Sequence, residues 1–429
     1  MPSNEGPPSA LRIPFKVLVL GGSYGGLAAA LHLLDLCKGR PSRFTPESTE
    51  ASRFGSFPVD ITVVDERDGY YHLIGSPLAL ASQEYAAKAW TKFSKLPALK
   101  DVRFIQGTVE TVDCKKKQAA ITETATQSLL ELDYDFLVAA TGLRRVWPVV
   151  PQTHTRETYL SEVGNHIDAV RMAKEGVVVI GGGAVGIEMA AELKLVMPDQ
   201  KVTLIHSRDK LCSSEPLPDE FKDRCLLTLR ESGVDTIMAK RVTETKTSQS
   251  PSGETTWDLT LADGSSLRAD HVIYAISRSI PSTTYLPASV LDQEGYVRVT
   301  PRLNLSSESP NSLYHFAVGD MIKWSGIKRC GGAMHMGQYA GHNVHQLMLK
   351  QLHGIEPEFL ELNEFPPVMG IAIGKQGVAW WREAGTTSGE SVLETFFGND
   401  LGNTICWNHL QLGHEIPILK PTPAAPDAA

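Results

Sequence analysis

Two glycine-rich turns in the sequence could hold the phosphates of a nucleotide. The first reads Gly21-Gly22-Ser23-Tyr24-Gly25-Gly26 and the second reads Gly181-Gly182-Gly183-Ala184-Val185-Gly186. In such a turn the first glycine permits a tight bend, the second lets the backbone approach a pyrophosphate, and the last lets helix and strand pack closely. The N–H groups at the start of the helix then face the phosphates. Both turns predict a dinucleotide site, although Ser23 replaces the middle glycine of the first.

The residues around each turn have the pattern of a strand, a helix and a second strand. In the first copy the apolar run Phe15–Leu20 precedes the turn and the alanine- and leucine-rich run Leu27–Leu34 follows it. In the second copy Val177–Ile180 precedes the turn, Ile187–Leu193 follows it, and Val202–Ile205 is the next predicted strand. Each copy is the beginning of a Rossmann fold. Two copies are much harder to obtain by chance than one, so we interpret both turns as functional.

The residue that ends the second strand of the first copy is acidic. Asp65 follows Val59–Val64 and supplies the carboxylate that a ribose hydroxyl requires. Its separation from Gly21 exceeds the roughly 20 positions expected for this motif. The stretch Lys38–Pro58, rich in Ser, Pro, Arg and Glu, accounts for the excess, and we interpret it as a flexible surface insertion.

The second copy has no acidic residue at the corresponding place. Its strand ends in His206-Ser207-Arg208, so strict selection of NAD is not indicated. Arg208 has two interpretations that carry about equal weight. It is either a ligand of the 2′-phosphate of NADP or a solvated surface arginine.

Composition restricts the class of protein further. The 429 residues are 42% hydrophobic and 21% charged, which predicts a soluble globular chain of two or three domains. The 41 basic and 49 acidic residues give a net charge of −8, which argues against nucleic acid as a main partner. The six cysteines form no CxxC pair and the histidines form no ligand pattern. We therefore predict no metal and a reducing, cytoplasmic environment.

Two further segments give a resemblance to a known superfamily. Tyr134–Gly142 is a predicted strand ending in Ala-Thr-Gly, and Leu313–Asp320 is one ending in Gly-Asp. The order of glycine turn, Ala-Thr-Gly, second glycine turn and Gly-Asp resembles the two-dinucleotide-binding-domain flavoproteins, the pyridine nucleotide-disulfide oxidoreductase superfamily, over about residues 14–345. The resemblance implies an α/β fold of two nested Rossmann-like dinucleotide-binding domains plus a small C-terminal α/β domain.

The resemblance also implies where the domains begin and end. The FAD-binding domain would be discontinuous, at residues 14–150 and 285–345. The NAD(P)H-binding domain would occupy residues 151–284 between its two parts. The C-terminal domain and tail would occupy residues 346–429.

Within that superfamily the chain looks most like the apoptosis-inducing-factor-like branch, the ferroptosis-suppressor or AMID type of NAD(P)H:quinone oxidoreductase, and its tail looks fungal. The stretches that carry this are Asp65–His72, Gly186–Glu188, Val202–Ser207, Phe396–Asn403 and Cys406–Asn408. The resemblance implies FAD as cofactor, NAD(P)H as co-substrate and a quinone or another small molecule as electron acceptor. Two alternatives stay open: a tailoring flavin oxidoreductase of a secondary-metabolite pathway, and an NAD(P)H-sensing signalling protein.

Position by position, the resemblance assigns residues to the two nucleotides. The FAD residues would be Gly21, Gly22, Ser23, Gly25, Gly26, Asp65, Val109, Thr141, Gly142, Arg144 and Asp320. Among them, Asp65 would bind the adenosine ribose, Val109 the adenine edge, and Asp320 the ribitol. Arg144 is interpreted first as part of a hinge between domains and only second as a contact of the flavin. The NAD(P)H residues would be Gly181, Gly183, Gly186, Glu188, His206 and Arg208.

Candidate catalytic residues are the proton donors expected near a flavin. They are His72, Lys328 and His335, because quinone reduction consumes protons. For any one of them a structural or solvated role is the favoured interpretation. Disulfide reductases of the superfamily carry a CxxxxC pair soon after the ribose-binding acid, whereas Gly69–Ala89 contains no cysteine. We therefore expect no dithiol relay, with electrons passing from FAD directly to the acceptor.

The N-terminus and the apolar runs bear on membrane contact. Met1-Pro2 lacks the glycine that N-myristoylation requires. The longest apolar runs are far shorter than the roughly 20 residues of a spanning helix. The sequence therefore predicts no transmembrane segment, and peripheral contact with a membrane or lipid droplet is left open. The oligomeric state is not predicted.

Overall fold

The computed structural model describes residues 13–44, 54–249, 255–276 and 279–418. Strands alternate with helices along the chain. The strands are β1 (Phe15–Leu20), β2 (Val59–Asp65), β3 (Gly69–Tyr71), β4 (Trp90–Lys92), β5 (Arg103–Asp113), β6 (Gln118–Glu123), β7 (Leu129–Asp133), β8 (Phe136–Ala139), β9 (Leu143–Arg144), β10 (Val177–Ile180), β11 (Val202–Ile205), β12 (Asp235–Ile237), β13 (Val242–Gln249), β14 (Thr255–Leu261), β15 (Ser266–Ala269), β16 (His271–Tyr274), β17 (Ile280–Pro281), β18 (His315–Ala317), β19 (Met369–Ile373), β20 (Gln376–Trp381) and β21 (Gly385–Gly389). The helices are α1 (Tyr24–Cys37), α2 (Ser76–Ala79), α3 (Gln83–Ala89), α4 (Arg156–Met172), α5 (Ala184–Val196), α6 (Asp219–Glu231), α7 (Cys330–His353), α8 (Glu390–Phe397) and α9 (Asn403–Leu410).

The larger sheet has seven strands in the order β18-β8-β1-β2-β5-β6-β7. Its first five strands are parallel and its last two are antiparallel. Val17–Leu20 of β1 are all buried, as central strands of a parallel sheet covered on both faces must be. The register pairs Leu20 with Val64 on one side and with Ala139 on the other, so these three strands end together at one edge.

The smaller sheet has four parallel strands in the order β12-β11-β10-β16. Its strands follow β8 in the chain and precede β18, and both β8 and β18 belong to the larger sheet. The unit with the smaller sheet is therefore inserted within the unit with the larger sheet. The two connections between the sheets contain β9 and β17, which pair antiparallel. The predicted fold class, an α/β fold with two nested Rossmann-like units, is confirmed. The predicted domain boundaries stay a prediction.

Helices α1 and α7 pack against each other at very short range. A Cβ on Gly337 would lie 2.2 Å from the carbonyl oxygen of Gly25, and one on Gly341 would lie 2.8 Å from that of Ala29. Larger residues at these α7 positions would push the helices apart. The close contact holds the first turn of α7 over the first glycine turn.

The C-terminal segment forms the antiparallel sheet β19-β20-β21 with α8 and α9. Ile371, Ile373 and Val378 of this sheet belong to the hydrophobic core of the smaller parallel sheet. Cys406 and Leu410 of α9 belong instead to a cluster with Tyr24 and Leu27 of α1. The predicted small C-terminal α/β unit is therefore present, and it contacts both Rossmann-like units.

The interpretation of Lys38–Pro58 as a flexible surface insertion is wrong at Ser42 and Arg43. Both residues are buried. The Arg43 guanidinium donates to the two carboxylate oxygens of Asp35 at 2.7 and 3.0 Å and to the carbonyl of Leu410 at 3.1 Å. A buried arginine requires a paired carboxylate, and Asp35 of α1 supplies it. Because Arg43 also bonds to Leu410, the insertion connects α1 to the C-terminal segment. Residues 45–53 of this stretch lie outside the described residues.

Within the part of the chain that the structure describes, we find no helix that combines the length and apolar character needed to cross a membrane. The cytoplasmic location and the peripheral contact considered above stay predictions.

Candidate functional site

The first glycine turn joins β1 to α1 at the carboxyl edge of the larger sheet. Gly21 has a φ of +104°, and a Cβ there would lie 2.4 Å from the carbonyl oxygen of Ala140. A Cβ on Gly26 would lie 1.8 Å from the carbonyl oxygen of Gly21, so the last glycine lets the helix return against the strand. The steric roles predicted for these two glycines therefore match the geometry. The turn directs the N-terminus of α1 toward the space above the sheet.

Asp65, the last residue of β2, contacts the same turn. Its Oδ2 accepts a hydrogen bond from the N–H of Gly22 at 2.7 Å, and its Oδ1 accepts one from the N–H of Arg67 at 2.8 Å. Burial raises the pKa of Asp65, and the positive charge of Arg67 opposes that shift. The carboxylate is thus fixed beside the glycine turn, and its role as a ribose ligand stays a prediction.

An open cleft of about 860 Å³ lies over the carboxyl ends of β1, β2 and β8. It lies outside the carboxyl ends of these parallel strands, which is where open α/β sheets bind ligands. Six residues predicted to contact FAD line it, namely Gly21, Ser23, Asp65, Val109, Thr141 and Arg144. The fold therefore brings together residues that lie more than a hundred positions apart in the sequence.

The other predicted FAD residues lie around this cleft. Gly22 donates to Asp65, as described above. A Cβ on Gly25 would lie 3.2 Å from the carbonyl oxygen of Ala333 in α7, so this glycine lets the two helices meet. Gly142 has a φ of +66° with open space around it, and its carbonyl accepts from the N–H of Ser282 at 3.0 Å.

Three arginines line the cleft together with the carboxylates of Asp65 and Glu66, and the sequence only partly indicated this set of charges. Arg144 forms a two-pronged ion pair with Glu66, a residue that also lines the cleft. The Nε of Arg67 is buried and has no hydrogen-bond partner among the described residues. Arg145 lines the same cleft. Sequence reasoning missed Glu66, Arg67 and Arg145 as site residues, although the pair Arg144-Arg145 after the Ala-Thr-Gly turn was a signal for the last of them.

A smaller cleft, with about 340 Å³ of open space, lies between the Gly-Asp turn and the start of α7. Asp320 and Lys328 line it. Arg145 Nη2 lies 3.9 Å from Asp320 Oδ2, which links the two clefts. Burial raises the pKa of Asp320, against the opposing charges of Arg145 and Lys328. Burial also lowers the pKa of Lys328, whose Nζ donates to the carbonyl of Ile322 at 3.0 Å.

The two candidate histidines lie in different surroundings. His72 is fully buried and lines neither cleft; its Nε2 contacts the carbonyl of Leu401 at 3.0 Å and its Nδ1 the hydroxyl of Tyr24 at 3.2 Å. Burial lowers the pKa of His72 to about 4. The ring of His335 lies 4.3 Å from that of Tyr339 and 5.9 Å from that of Phe365, which borders the smaller cleft.

The second glycine turn joins β10 to α5 in the smaller sheet. Gly181 has a φ of +124°, and a Cβ on Gly186 would lie 2.0 Å from the carbonyl oxygen of Gly181. A Cβ on Gly183, by contrast, would meet no described atom within 4 Å. Gly183 is exposed at the N-terminus of α5. The middle position therefore faces open space, as required where a pyrophosphate approaches the backbone.

His206 follows β11 and contacts this second turn. Its Nδ1 accepts a hydrogen bond from the N–H of Gly182 at 3.1 Å, while its Nε2 lies 3.2 Å from the Ser213 hydroxyl. Burial lowers the pKa of His206, so its ring is neutral at pH 7. Arg208 is exposed two residues further on. In this second unit the neutral imidazole of His206 thus occupies the position of the ribose-binding acid, and the guanidinium of Arg208 follows two residues later.

Glu188, in α5, faces the C-terminal sheet. Its Oε1 accepts a hydrogen bond from the N–H of Ala372 in β19 at 3.3 Å. Burial raises the pKa of Glu188 to about 8, and the neighbouring Glu192 adds to that shift. Burial raises the pKa of Glu192 to about 8 as well. The carboxyl predicted to lie beside NAD(P)H is therefore protonated near neutral pH.

Two cysteines that are distant in the sequence meet beside the first glycine turn. The Sγ atoms of Cys330, at the start of α7, and Cys406, in α9, lie 3.9 Å apart. Sequence spacing did not reveal this pair, because 75 residues separate them and only the docking of α9 brings them together. In the described ranges, no group of three or more His, Cys, Asp or Glu side chains is arranged to hold a metal ion.

Comparison with known proteins identifies the family to which the chain belongs. The model of the family described as pyridine nucleotide-disulphide oxidoreductase matches residues 15–337, which is most of the chain. A protein of Ajellomyces capsulatus named oxidoreductase OXR1 is 54% identical over 423 residues, covering 96% of this chain and 91% of that one. The ferroptosis suppressor protein 1 of Taeniopygia guttata is 26% identical, covering 80% of this chain and 83% of its own length.

A solved structure is similar over nearly the whole fold. The sulfide:quinone oxidoreductase of Aquifex aeolicus superposes with a TM-score of 0.64, covering 94% of this chain and 92% of that one. The two sequences are 18% identical, so the likeness concerns the fold. It extends beyond the two Rossmann-like units into the C-terminal segment.

Proposed function

The chain belongs to the pyridine nucleotide-disulphide oxidoreductase family, whose members use NAD(P)H, and from that premise we propose a specific activity. The protein is an FAD-dependent NAD(P)H oxidoreductase that takes hydride from NAD(P)H and passes electrons to a quinone or a similar small acceptor. The observation that carries the proposal is the larger cleft, where the first glycine turn, Asp65 and three arginines surround one elongated space.

FAD fits the residues of this cleft. Its pyrophosphate matches the N-terminus of α1 at Ser23 and the unpartnered Nε of Arg67, since both offer donors to an anion. A ribose of FAD matches Asp65, and the ribitol matches Asp320 at the border of the smaller cleft. Arg145 lines the larger cleft and approaches Asp320 of the smaller one, which supports one extended ligand that spans both clefts.

NAD(P)H fits the second glycine turn. The exposed Gly183 leaves room for a pyrophosphate against the N-terminus of α5. His206 offers no negative charge that would repel a 2′-phosphate, and the exposed Arg208 offers a positive one. We therefore propose that NADPH is accepted at least as well as NADH.

The chain's own residues orient the reactants and supply protons. The residues of the two clefts would hold FAD, whose isoalloxazine ring would supply the hydride acceptor and the electron carrier between NAD(P)H and the final acceptor. The residues of the two clefts hold the cofactor and exclude water from it. Lys328 is the proton donor we favour, because the residue lines the smaller cleft and its lowered pKa eases proton release. His72 lies in a closed hydrogen-bond network and has a structural role.

The purified protein's absorption spectrum tests the cofactor. Bound flavin gives bands near 375 and 450 nm, roughly where the free ring absorbs, because the transitions belong to the cofactor. We expect these bands in the protein as isolated or after incubation with FAD, and we expect NADPH to bleach the 450 nm band without oxygen. A protein that binds no flavin under either condition contradicts the proposal.

A screen of acceptors tests the second half of the reaction. Rapid NADPH oxidation with soluble quinones supports the quinone acceptor. Turnover with one particular metabolite alone would favour the tailoring oxidoreductase instead. Flavin reduction without turnover on any acceptor would favour the signalling protein.

A further inference from the structure

The cysteine pair Cys330–Cys406 has the geometry of a redox-active dithiol. The Sγ atoms are 3.9 Å apart, and a disulfide bond of about 2.05 Å would require them to approach by roughly 1.9 Å. Cys406 belongs to α9, an eight-residue helix on a C-terminal segment, so a small shift of that helix brings the sulfurs together. The contact lies at the border of the two packed helices α1 and α7.

The two thiols have unequal surroundings. Cys330 is partly exposed and opens α7, where a helix N-terminus favours a thiolate, whereas Cys406 is 3% exposed. The hydrogen bond between the two thiols lowers the pKa of Cys330, with help from the N–H of Gly331 and the charge of Arg329 and against the opposing effect of burial. The same hydrogen bond and burial raise the pKa of Cys406. One sulfur is therefore suited to attack and the other to resolve.

We propose that Cys330 and Cys406 form a second redox site, a dithiol that a low-molecular-weight disulfide of the glutathione disulfide class oxidises to an intramolecular disulfide. The proposal goes beyond the flavin reaction and does not depend on it. The neighbouring Lys328 and Arg329 carry positive charge beside Cys330, which suits an anionic disulfide.

The reaction proceeds in two exchange steps. The Cys330 thiolate attacks one sulfur of the external disulfide, forms a mixed disulfide and releases one thiolate, which takes up the Cys330 proton. The Cys406 sulfur, losing its proton, then attacks the Cys330 sulfur and releases the second thiolate, which takes up that proton. The protein dithiol loses two electrons and the external disulfide gains them, so two external thiols result and no other oxidant is needed.

Two tyrosines are the nearest hydroxyl-bearing neighbours in the cluster that contains the pair. Tyr24 and Tyr70 lie beside the two cysteines in the same cluster. Burial raises the pKa of both tyrosines well above the usual value, so they remain neutral and act as hydrogen-bond partners. The Tyr24 hydroxyl contacts Nδ1 of His72 at 3.2 Å. The titratable groups of the described residues that face the pair are Tyr24, Tyr70, Tyr85, Asp320, Arg329 and Asp400.

Thiol titration of the full-length protein tests the proposal. The protein is equilibrated with mixtures of oxidised and reduced glutathione, quenched in acid, unfolded and labelled with a thiol reagent. The chain has six cysteines. We expect the loss of two thiols per chain in oxidising mixtures, together with a crosslinked peptide joining Cys330 to Cys406 that reductant abolishes. No added NAD(P)H is needed, so this result and the flavin result are independent.

Single variants separate the roles of the two cysteines. Cys406→Ser should stop at a glutathione adduct on Cys330, and Cys330→Ser should leave Cys406 unmodified. Cys114→Ser, which removes a buried cysteine elsewhere, is the matched control and should still lose two thiols. Retention of all six thiols in the wild-type protein, or a crosslink between any other two cysteines, overturns the proposal.

Discussion

His206 occupies, in the second dinucleotide unit, the position that Asp65 occupies in the first. The Nδ1 atom of His206 accepts the N–H of Gly182 at 3.1 Å, just as Oδ2 of Asp65 accepts the N–H of Gly22 at 2.7 Å. Asp65 ends the second parallel strand of its unit and His206 directly follows that of the other, and each side chain accepts a hydrogen bond from the glycine turn. The two units therefore share a scaffold but differ in charge where a ribose would bind.

That difference predicts how the protein selects its nicotinamide nucleotide. We expect Arg208→Ala to raise KM for NADPH by about tenfold, because one charge-assisted contact contributes about 1.5–3 kcal/mol, while KM for NADH changes little. Steady-state kinetics with both nucleotides measures this. Arg224→Ala, which removes an exposed arginine from α6, is the control. Equal losses with both nucleotides would show that Arg208 does not contact the 2′-phosphate.

The second glycine turn offers a matched pair of substitutions. Gly183→Val adds atoms to open space, so we expect unchanged thermal stability but a KM at least about tenfold higher for both nucleotides, since the side chain blocks the pyrophosphate. Gly186→Val drives its Cβ toward the Gly181 carbonyl and should destabilise the fold by about 1–3 kcal/mol or more. Thermal melting and kinetics of both variants distinguish the two roles. Unchanged nucleotide binding in Gly183→Val would contradict the site.

The position of the Asp320 carboxylate predicts that it helps the protein to retain FAD. Its carboxylate borders the smaller cleft, and Arg145 opposes the burial that raises its pKa. We expect Asp320→Ala to weaken FAD binding by about tenfold or more, because a hydrogen bond to a charged group contributes about 1.5–3 kcal/mol. The ratio of absorbance at 450 and 280 nm after dialysis measures it. Asp168→Ala, at an exposed position of α4, should keep the wild-type ratio.

The lowered pKa of Lys328 predicts how the rate of quinone reduction depends on pH. Burial lowers its pKa, so the protonated form that donates is lost earlier as pH rises than for an exposed lysine. We expect the rate to fall with rising pH, and Lys328→Gln to lower kcat on the order of a hundredfold and remove that fall. Lys323→Gln, which replaces an exposed lysine paired with Glu294, is the control. A Lys328→Gln profile identical to that of the wild type would reassign the proton donor.

The carboxyls of half-buried Glu188 and buried Glu192 predict how the stability of the fold depends on pH. Both have a pKa of about 8 in the folded protein against 4.5 as the ordinary value, so the fold holds protons that the unfolded chain loses. Stability should therefore fall as pH rises from about 4.5 to about 8, by up to about 1.4 kcal/mol per pH unit for each group.

Replacing Glu192 isolates one of these contributions. Glu192→Gln keeps a neutral side chain at every pH, so we expect about half of the wild-type slope, with Glu188 providing the remainder. Denaturant unfolding at pH 5 and pH 8 measures the difference, and exposed Glu231→Gln is the control. A slope that is unchanged in Glu192→Gln would mean that its carboxyl ionises in the folded protein.

The sequence alone determined the two dinucleotide units. Their glycines, apolar strands and alanine-rich helices are local patterns, and the steric demand on Gly21, Gly26, Gly181 and Gly186 follows from the bend itself. The sequence also showed the acidic residue at the end of β2 and the lack of an acidic residue directly after β11, because both are local features of a strand end. The order of four motifs also indicated the nesting of one unit within the other, which the topology confirms.

Only the tertiary structure decided which distant side chains meet. Arg145 approaches Asp320, Arg43 pairs with Asp35 inside the fold, and Cys330 contacts Cys406. His72, a candidate proton donor in the sequence, is enclosed by Tyr24 and Leu401 instead. These contacts depend on how α1, α7 and α9 pack, and packing is set by the shapes of whole helices rather than by local spacing. The physical reason is that the bend of a glycine turn depends on the residues of the turn alone. A contact between distant residues depends on the packing of all the elements that lie between them.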